Sequence, residues 1–152
     1  MIEKRLSELG LTLPEAAAPS FNYVPVTLHG GVAYVAGQLP KVGGDVLVRG
    51  KAGREVDLAT AQGEARICVL QGLACLKQAL GSLDRITRIL KVSGFVASAA
   101  GFNDQPKVLD AASGLLVDIF GENGRHARSA IGVAELPRDT VVEIEFTVAY
   151  RD

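Results

Sequence analysis

The chain has 152 residues, a length suited to one domain that buries about two-thirds of its unfolded surface without staples. Sixteen basic residues stand scattered against seventeen acidic ones and tryptophan is absent, so neither a phosphate-tracking surface nor a set of stacking aromatics is visible, and nucleic acid is not an expected partner. No stretch approaches the roughly 18 uncharged apolar residues of a membrane span and no apolar leader opens the chain, so no membrane partner is expected and the expected location is cytoplasmic.

Residues 1–20 read as an N-terminal arm. Ile2, Leu6 and Leu9 fall at helical spacing before Gly10, which predicts a short amphipathic helix stopped by glycine, and Pro14 to Pro19 follows as a connector. Val24, Val26 and Leu28 alternate, His29-Gly30-Gly31 supplies a turn, and Val32 to Ala36 is a continuous apolar run: a hairpin feeding a buried strand. Pro40 to Glu55 is glycine-rich around one possible short strand, Val46-Leu47-Val48, and reads as an irregular surface loop.

Asp57 then opens a helix whose apolar positions, from Leu58 through Cys68 and Leu76 to Leu80, recur near every 3.6 residues up to Gly81. Cys68 and Cys75 sit inside it with no neighbouring histidine, in neither zinc nor redox spacing, and read as small core residues. Ile86 to Val96 is a strand with Leu90, Val92, Gly94 and Val96 expected on one face. Asp104-Gln105-Pro106 starts a second helix with Val108, Ala112, Leu115 and Ile119 as its buried stripe. Two strands, Arg128 to Glu135 and Val141 to Tyr150, close the chain around Leu136-Pro137-Arg138-Asp139, expected as a hairpin turn. The order ββ(β)αβαββ has no internal boundary, so residues 1–152 form a single α+β domain, a mixed sheet with two main helices on one face.

The last strand carries Val142, Ile144, Phe146 and Val148 on one face and Val141, Glu143, Glu145 and Thr147 on the other. The face away from the helices is therefore mixed, as a subunit interface would be. Arg128 begins an otherwise apolar strand, and a guanidinium there needs an anion, supplied by a ligand or by a salt bridge across a subunit interface to Glu143 or Glu145. About a turn at Arg138, Arg128 and Glu143 are offset by five residues, roughly 17 Å along flat strands, so one hairpin does not join them. Serving one site, they come most simply from two copies of the chain in a cyclic assembly. His126 is expected as a loop histidine, His29 belongs to a turn, and no Gly-x-Ser-x-Gly elbow presents a nucleophilic serine.

Several of these segments form a pattern. Val35-Ala36-Gly37-Gln38, the Asp57 helix, Ala127-Arg128-Ser129, Leu136-Pro137-Arg138-Asp139 and Val142-Glu143-Ile144-Glu145 together resemble the YjgF/RidA family of reactive-intermediate deaminases, many of which carry an endoribonuclease L-PSP label. The resemblance runs from about Phe21 to Tyr150, with the arm and the Pro40 to Glu55 loop marking a divergent branch. It implies a chorismate-mutase-like two-layer sandwich and a homotrimer whose sheets face a central barrel, with three clefts between subunits. It also implies hydrolytic deamination of small enamine and imine acids to keto acids and ammonium.

In that picture Arg128 grips the substrate carboxylate, Glu143 activates water or shuttles protons, Gly37 offers its backbone and Tyr23 lines the cleft. Ala36, Ser113 and Ala130 stand where many deaminating members have serine, asparagine and cysteine, so the cleft is altered. Imine hydrolysis needs an anchored substrate, a placed water and a carboxylate, and therefore no metal or organic cofactor. The alternative is a non-catalytic trimeric binder or sensor of small carboxylate metabolites. A ribonuclease fits the neutral charge least.

Overall fold

The computed structural model describes residues 1–18 and 21–152; the Pro19 end of the expected connector lies outside the described residues. Helix α1 (Ile2–Glu8) ends in a turn closed by Gly10 at φ 68°, and buries Leu6. Arg5 Nε donates to the Asp118 carbonyl (2.8 Å), and Lys77 pairs with Glu3 (3.2 Å), so the arm lies against the body of the domain.

Strand β1 (Val26–His29) and strand β2 (Val32–Gln38) form the expected hairpin about Gly30-Gly31. Strand β2 is only half-buried: Ala33 and Val35 enter the core while Tyr34 stays exposed. A continuous apolar run therefore conceals an ordinary one-sided strand. The glycine-rich segment is also more ordered than its composition implies. Strand β3 (Lys41–Val42) pairs with β4 (Asp45–Val46), and Ala52 is stitched to the sheet by hydrogen bonds with Ala97 (2.8 Å) and Ala99 (3.0 Å). Val46 and Ala52 are buried, which explains why the segment folds down.

Helix α2 (Leu58–Leu80) begins and ends where its caps dictate. The Asp57 carboxylate accepts from the Thr60 amide at 2.8 Å, and Gly81 adopts φ 81° to return its amide to the Lys77 carbonyl. Strand β5 (Ile86–Ala97) follows, then helix α3 (Gln105–Phe120), with Pro106 in its first turn, then β6 (Ala127–Val133) and β7 (Val142–Tyr150). On β5 the expected inward face is corrected. The register slips between Ile89 and Lys91, so Ile89 is buried and Leu90 faces outward. A bulge inserts one residue and exchanges the faces beyond it.

The main sheet has the order β1-β2-β7-β5-β6, antiparallel except for the β5–β6 pair. The last two strands are thus not a hairpin. Strand β7 is flanked by β2 and β5, so β6 pairs in parallel with the far edge of β5, completing a βαβ unit through α3. The connection from β6 to β7 must cross over β5, two strand spacings or roughly 9.6 Å. Val141, expected on the outer face, is buried at the end of this crossover.

Helices α2 and α3 cover one face, burying Val35, Val92, Val96, Ile144, Phe146 and Val148 beneath them. Two glycines set how closely the layers approach. A Cβ on Gly72 would strike the Phe146 ring, and one on Gly94 would strike Leu109. Tyr34, Phe95, Ile131, Glu143, Glu145 and Thr147 lie on the other face, which among the described residues no helix covers, matching the mixed face read from the sequence. Among the described residues no helix is long and apolar enough to cross a membrane.

Candidate functional site

The proposed site residues fall into two groups on different faces of the sheet. The first group surrounds Glu143. Strand β2 carries an extra residue between Val35 and Gln38 relative to β7, and this bulge turns the bare backbone of Gly37 onto the Glu143 carboxylate. Any Cβ at position 37 would collide with Glu143 Oε1. The bulge is pinned from below: Gln38, 5% exposed, donates to the Ala36 carbonyl at 3.0 Å and accepts from the Cys75 thiol at 3.7 Å.

Around this pair opens a cleft of about 280 Å³, walled by Tyr23, Gly37, Glu143, Lys41, Arg138 and the arm residue Ala17. Burial is the main force raising the Glu143 pKa above the usual carboxylate range, and the neighbouring Glu145 charge adds to it. Ala36 is half-buried with its carbonyl engaged by Gln38. A larger depression of about 610 Å³ lies over Leu47 to Asp57, but its acids are already used. Glu55, held at a pKa of about 2, accepts from Lys51 and Arg54, and Asp57 caps α2.

The second group surrounds Arg128. Val92 pairs with both Arg128 and Phe146, whereas Phe95 pairs with Glu143. Paired residues share a face, so Arg128 points to the helix side and Glu143 to the open side, with β5 between them. Arg128 Nη1 donates to Asp110 (2.9 Å) and Ser113 (3.1 Å) on α3. Ser113 Oγ lies 2.9 Å from His126 Nε2, and His126 Nδ1 lies 2.6 Å from the Gly124 carbonyl. That carbonyl needs a donor, so Nδ1 carries the proton and neutral Nε2 accepts the serine hydroxyl. Burial first, and the Arg128 charge with it, lower the His126 pKa and favour that form.

Among the described residues Nε and Nη2 of Arg128 make no hydrogen bond, which leaves an open fork of the shape that receives a carboxylate. Ala130, two residues along β6, packs against the core. Within the chain Arg128 pairs with Asp110, a contact invisible without the order of the strands. His126 is likewise more than a loop histidine, being half-buried and hydrogen-bonded at both nitrogens.

Three further residues escaped the sequence reading: Gln38, Lys41 and Arg138. Only Gln38 left a signal, a long amide next to Gly37 in a strand. Arg138 and Asp139 are adjacent non-glycine residues at φ 57°, a conformation costing roughly 1–3 kcal/mol each. Surrounding bonds hold it: Arg49 donates to the Arg138 carbonyl (2.8 Å), Gly50 to the Asp139 carbonyl (2.9 Å), and Arg138 Nη1 to the Gly44 carbonyl (3.3 Å). Cys68 and Cys75 are free and buried, and burial raises both thiols. Among the described residues no three His, Cys, Asp or Glu side chains are grouped to hold a metal.

A family model described as "YjgF/chorismate_mutase-like, putative endoribonuclease" matches residues 3–147. The chain belongs to the YjgF/chorismate-mutase-like family. Protein TCP17 of Trypanosoma cruzi is 43% identical over 150 residues, covering 97% of this chain and 92% of that protein. The crystal structure of Atu1372 from Agrobacterium tumefaciens, a protein of unknown function, is 48% identical at a TM-score of 0.91, covering 99% of this chain and 92% of that one. An endoribonuclease-labelled structure from Shewanella oneidensis is 34% identical at a TM-score of 0.94, with 98% and 99% covered. The family match begins at residue 3, so the resemblance first seen in the strand motifs extends into the arm.

Proposed function

We propose that this chain hydrolyses small imine and enamine acids to keto acids and ammonium, in clefts between the subunits of a cytoplasmic homotrimer. The observation that carries the reading is Glu143, a half-buried carboxylate raised in pKa, with the bare Gly37 backbone against it and, among the described residues, no cation paired to it. A carboxylate whose pKa is raised is a stronger base than an exposed glutamate. The open Arg128 fork from a second copy supplies the carboxylate anchor, because one chain directs Arg128 and Glu143 to opposite faces.

In the reaction, Glu143 takes a proton from water as its oxygen bonds to the iminium carbon, and the C=N π pair moves to nitrogen. Glu143 returns its proton to the nitrogen of the resulting carbinolamine, the C–N bond breaks with its electron pair leaving on ammonia, and the hydroxyl proton, given up as the carbonyl forms, passes to that ammonia to give ammonium. An enamine enters the same sequence after protonation at carbon. Bidentate Arg128 fixes the substrate acid and hence the distance from Glu143 to the reacting carbon, which a lysine point charge does not. Tyr23 walls the pocket; Ala36 and Ala130 remove polar contacts, favouring a substrate whose reacting carbon carries a less polar neighbour.

The binder-or-sensor reading is favoured by Asp110 and Ser113, which hold Arg128 before any ligand arrives. Decay of imino acids generated in situ by an amino-acid oxidase separates the two. Accelerated decay in the wild type, lost in Arg128→Ala and Glu143→Gln, supports the hydrolase. Carboxylate binding without any acceleration supports the binder, and RNA cleavage dependent on Arg128 would sink both.

A further inference from the structure

The Glu143 cleft holds two cations that imine hydrolysis does not use. Lys41 comes from the start of β3 and Arg138 from the turn before β7, segments distant in sequence that both line the cleft. Among the described residues neither forms an ion pair. Among the described residues Glu143 is the single carboxylate lining the cleft, and neither Lys41 nor Arg138 forms an ion pair or hydrogen bond with it.

Neither side chain arrives there by chance of a floppy loop. The Lys41 carbonyl is held by Gln71 of α2 at 2.9 Å, and its strand is closed by β4. The Arg138 backbone is kept in a costly left-handed turn by Arg49 and Gly50, and its guanidinium is steadied on the Gly44 carbonyl. Strain maintained by several independent bonds at a cleft wall marks a residue whose placement matters.

From this geometry we infer that Lys41 and Arg138 form a second anion subsite, so that the preferred ligands are dicarboxylates: one acid on the Arg128 fork beside the reacting carbon, the other on Lys41 and Arg138. The inference rests on the proposed two-copy cleft and names its substrate class. About 280 Å³ lies at the small end of ligand pockets, which fits a short-chain diacid and not an extended one. A lone carboxylate leaves the two cations unanswered; a second one offers two oxygens to which both can donate within the same small volume.

The test is equilibrium binding of two product-like keto acids, 2-oxoglutarate and 2-oxobutyrate, by calorimetry. The proteins are the wild type, Lys41→Met, Arg138→Gly and Arg128→Ala. Glycine at 138 suits the left-handed backbone, so that variant removes the guanidinium without disturbing the turn. The expected result is at least tenfold tighter binding of 2-oxoglutarate by the wild type, most of that preference lost in Lys41→Met and Arg138→Gly, and 2-oxobutyrate affinity unchanged in both. Equal affinity for the two acids, with binding still dependent on Arg128, overturns the second subsite and leaves the carboxylate anchor standing. Failure of the wild type to bind either acid overturns the anchor and the second subsite together.

Discussion

Glu143 and Arg128 are both ionisable groups on half-buried strand positions, yet their surroundings treat charge in opposite ways. Arg128 is enclosed by Asp110 and Ser113, with His126 holding Ser113 in turn, so its guanidinium is oriented before a ligand arrives. Glu143 meets bare backbone and a second carboxylate, and its pKa rises. An oriented cation suits binding, where ordering costs are best met in advance. A carboxylate deprived of partners suits proton transfer. On the proposed reading, anchoring belongs to one face of the sheet and chemistry to the other.

Glu143→Gln breaks that contrast most severely. It keeps the shape and removes the base, so kcat should fall by about 10²–10⁴-fold with KM little changed, measured by imino-acid decay. Arg128→Lys keeps the charge and removes the fork. Its kcat/KM should fall by about 10–100-fold with KM raised, because charged hydrogen bonds are worth about 1.5–3 kcal/mol each. Should kcat move and KM stay fixed, the two roles would have to be exchanged.

A third substitution concerns the architecture that carries both groups. Gly94→Val drives a side chain into Leu109, and overpacking of this kind costs about 1–3 kcal/mol. Thermal unfolding should shift down by roughly 2–4 °C per kcal/mol for a chain of this size. An unchanged Tm would mean that α3 has room to lift from the sheet.

The smallest effect is a pH shift. Burial and the Glu145 charge both raise the Glu143 pKa, so activity should fall on acidification at a pH above the ordinary glutamate value. Glu145→Gln removes the like charge and should move that acid limb to lower pH, read from the pH profile of kcat/KM. A shift in the other direction would show that another group governs the limb. The sign for stability is the opposite: a raised acid pKa opposes folding above it, and the penalty is relieved as pH falls through it.

Much of this was legible in the residues. The two helices were set by Asp57, Gly81 and Pro106, and charges interrupting apolar strands singled out Arg128 and Glu143. The offset between them already argued against a site within one hairpin. What failed was pairing: Leu136 to Asp139 reads as a turn, but two left-handed residues re-aim the chain across β5, and no local pattern reports strand order. The partners of Arg128 on α3 and the meeting of Lys41 with Arg138 were hidden for the same reason, since each depends on distant segments brought together by that order. The Leu90 face was lost to a bulge, a one-residue insertion that alternation alone does not reveal.

The central claim is that one working cleft takes Glu143 from one copy and Arg128 from another. The most direct measurement mixes Glu143→Gln and Arg128→Ala chains by co-expression and assays the purified mixed assembly for imino-acid hydrolysis. Each variant alone should be inactive. In a cyclic assembly with random mixing, one junction in about four (one half times one half) joins an intact Glu143 to an intact Arg128, so about a quarter of wild-type activity should return. No recovery, although the two variants co-assemble, would contradict the account and place both groups' roles within a single chain or outside this reaction.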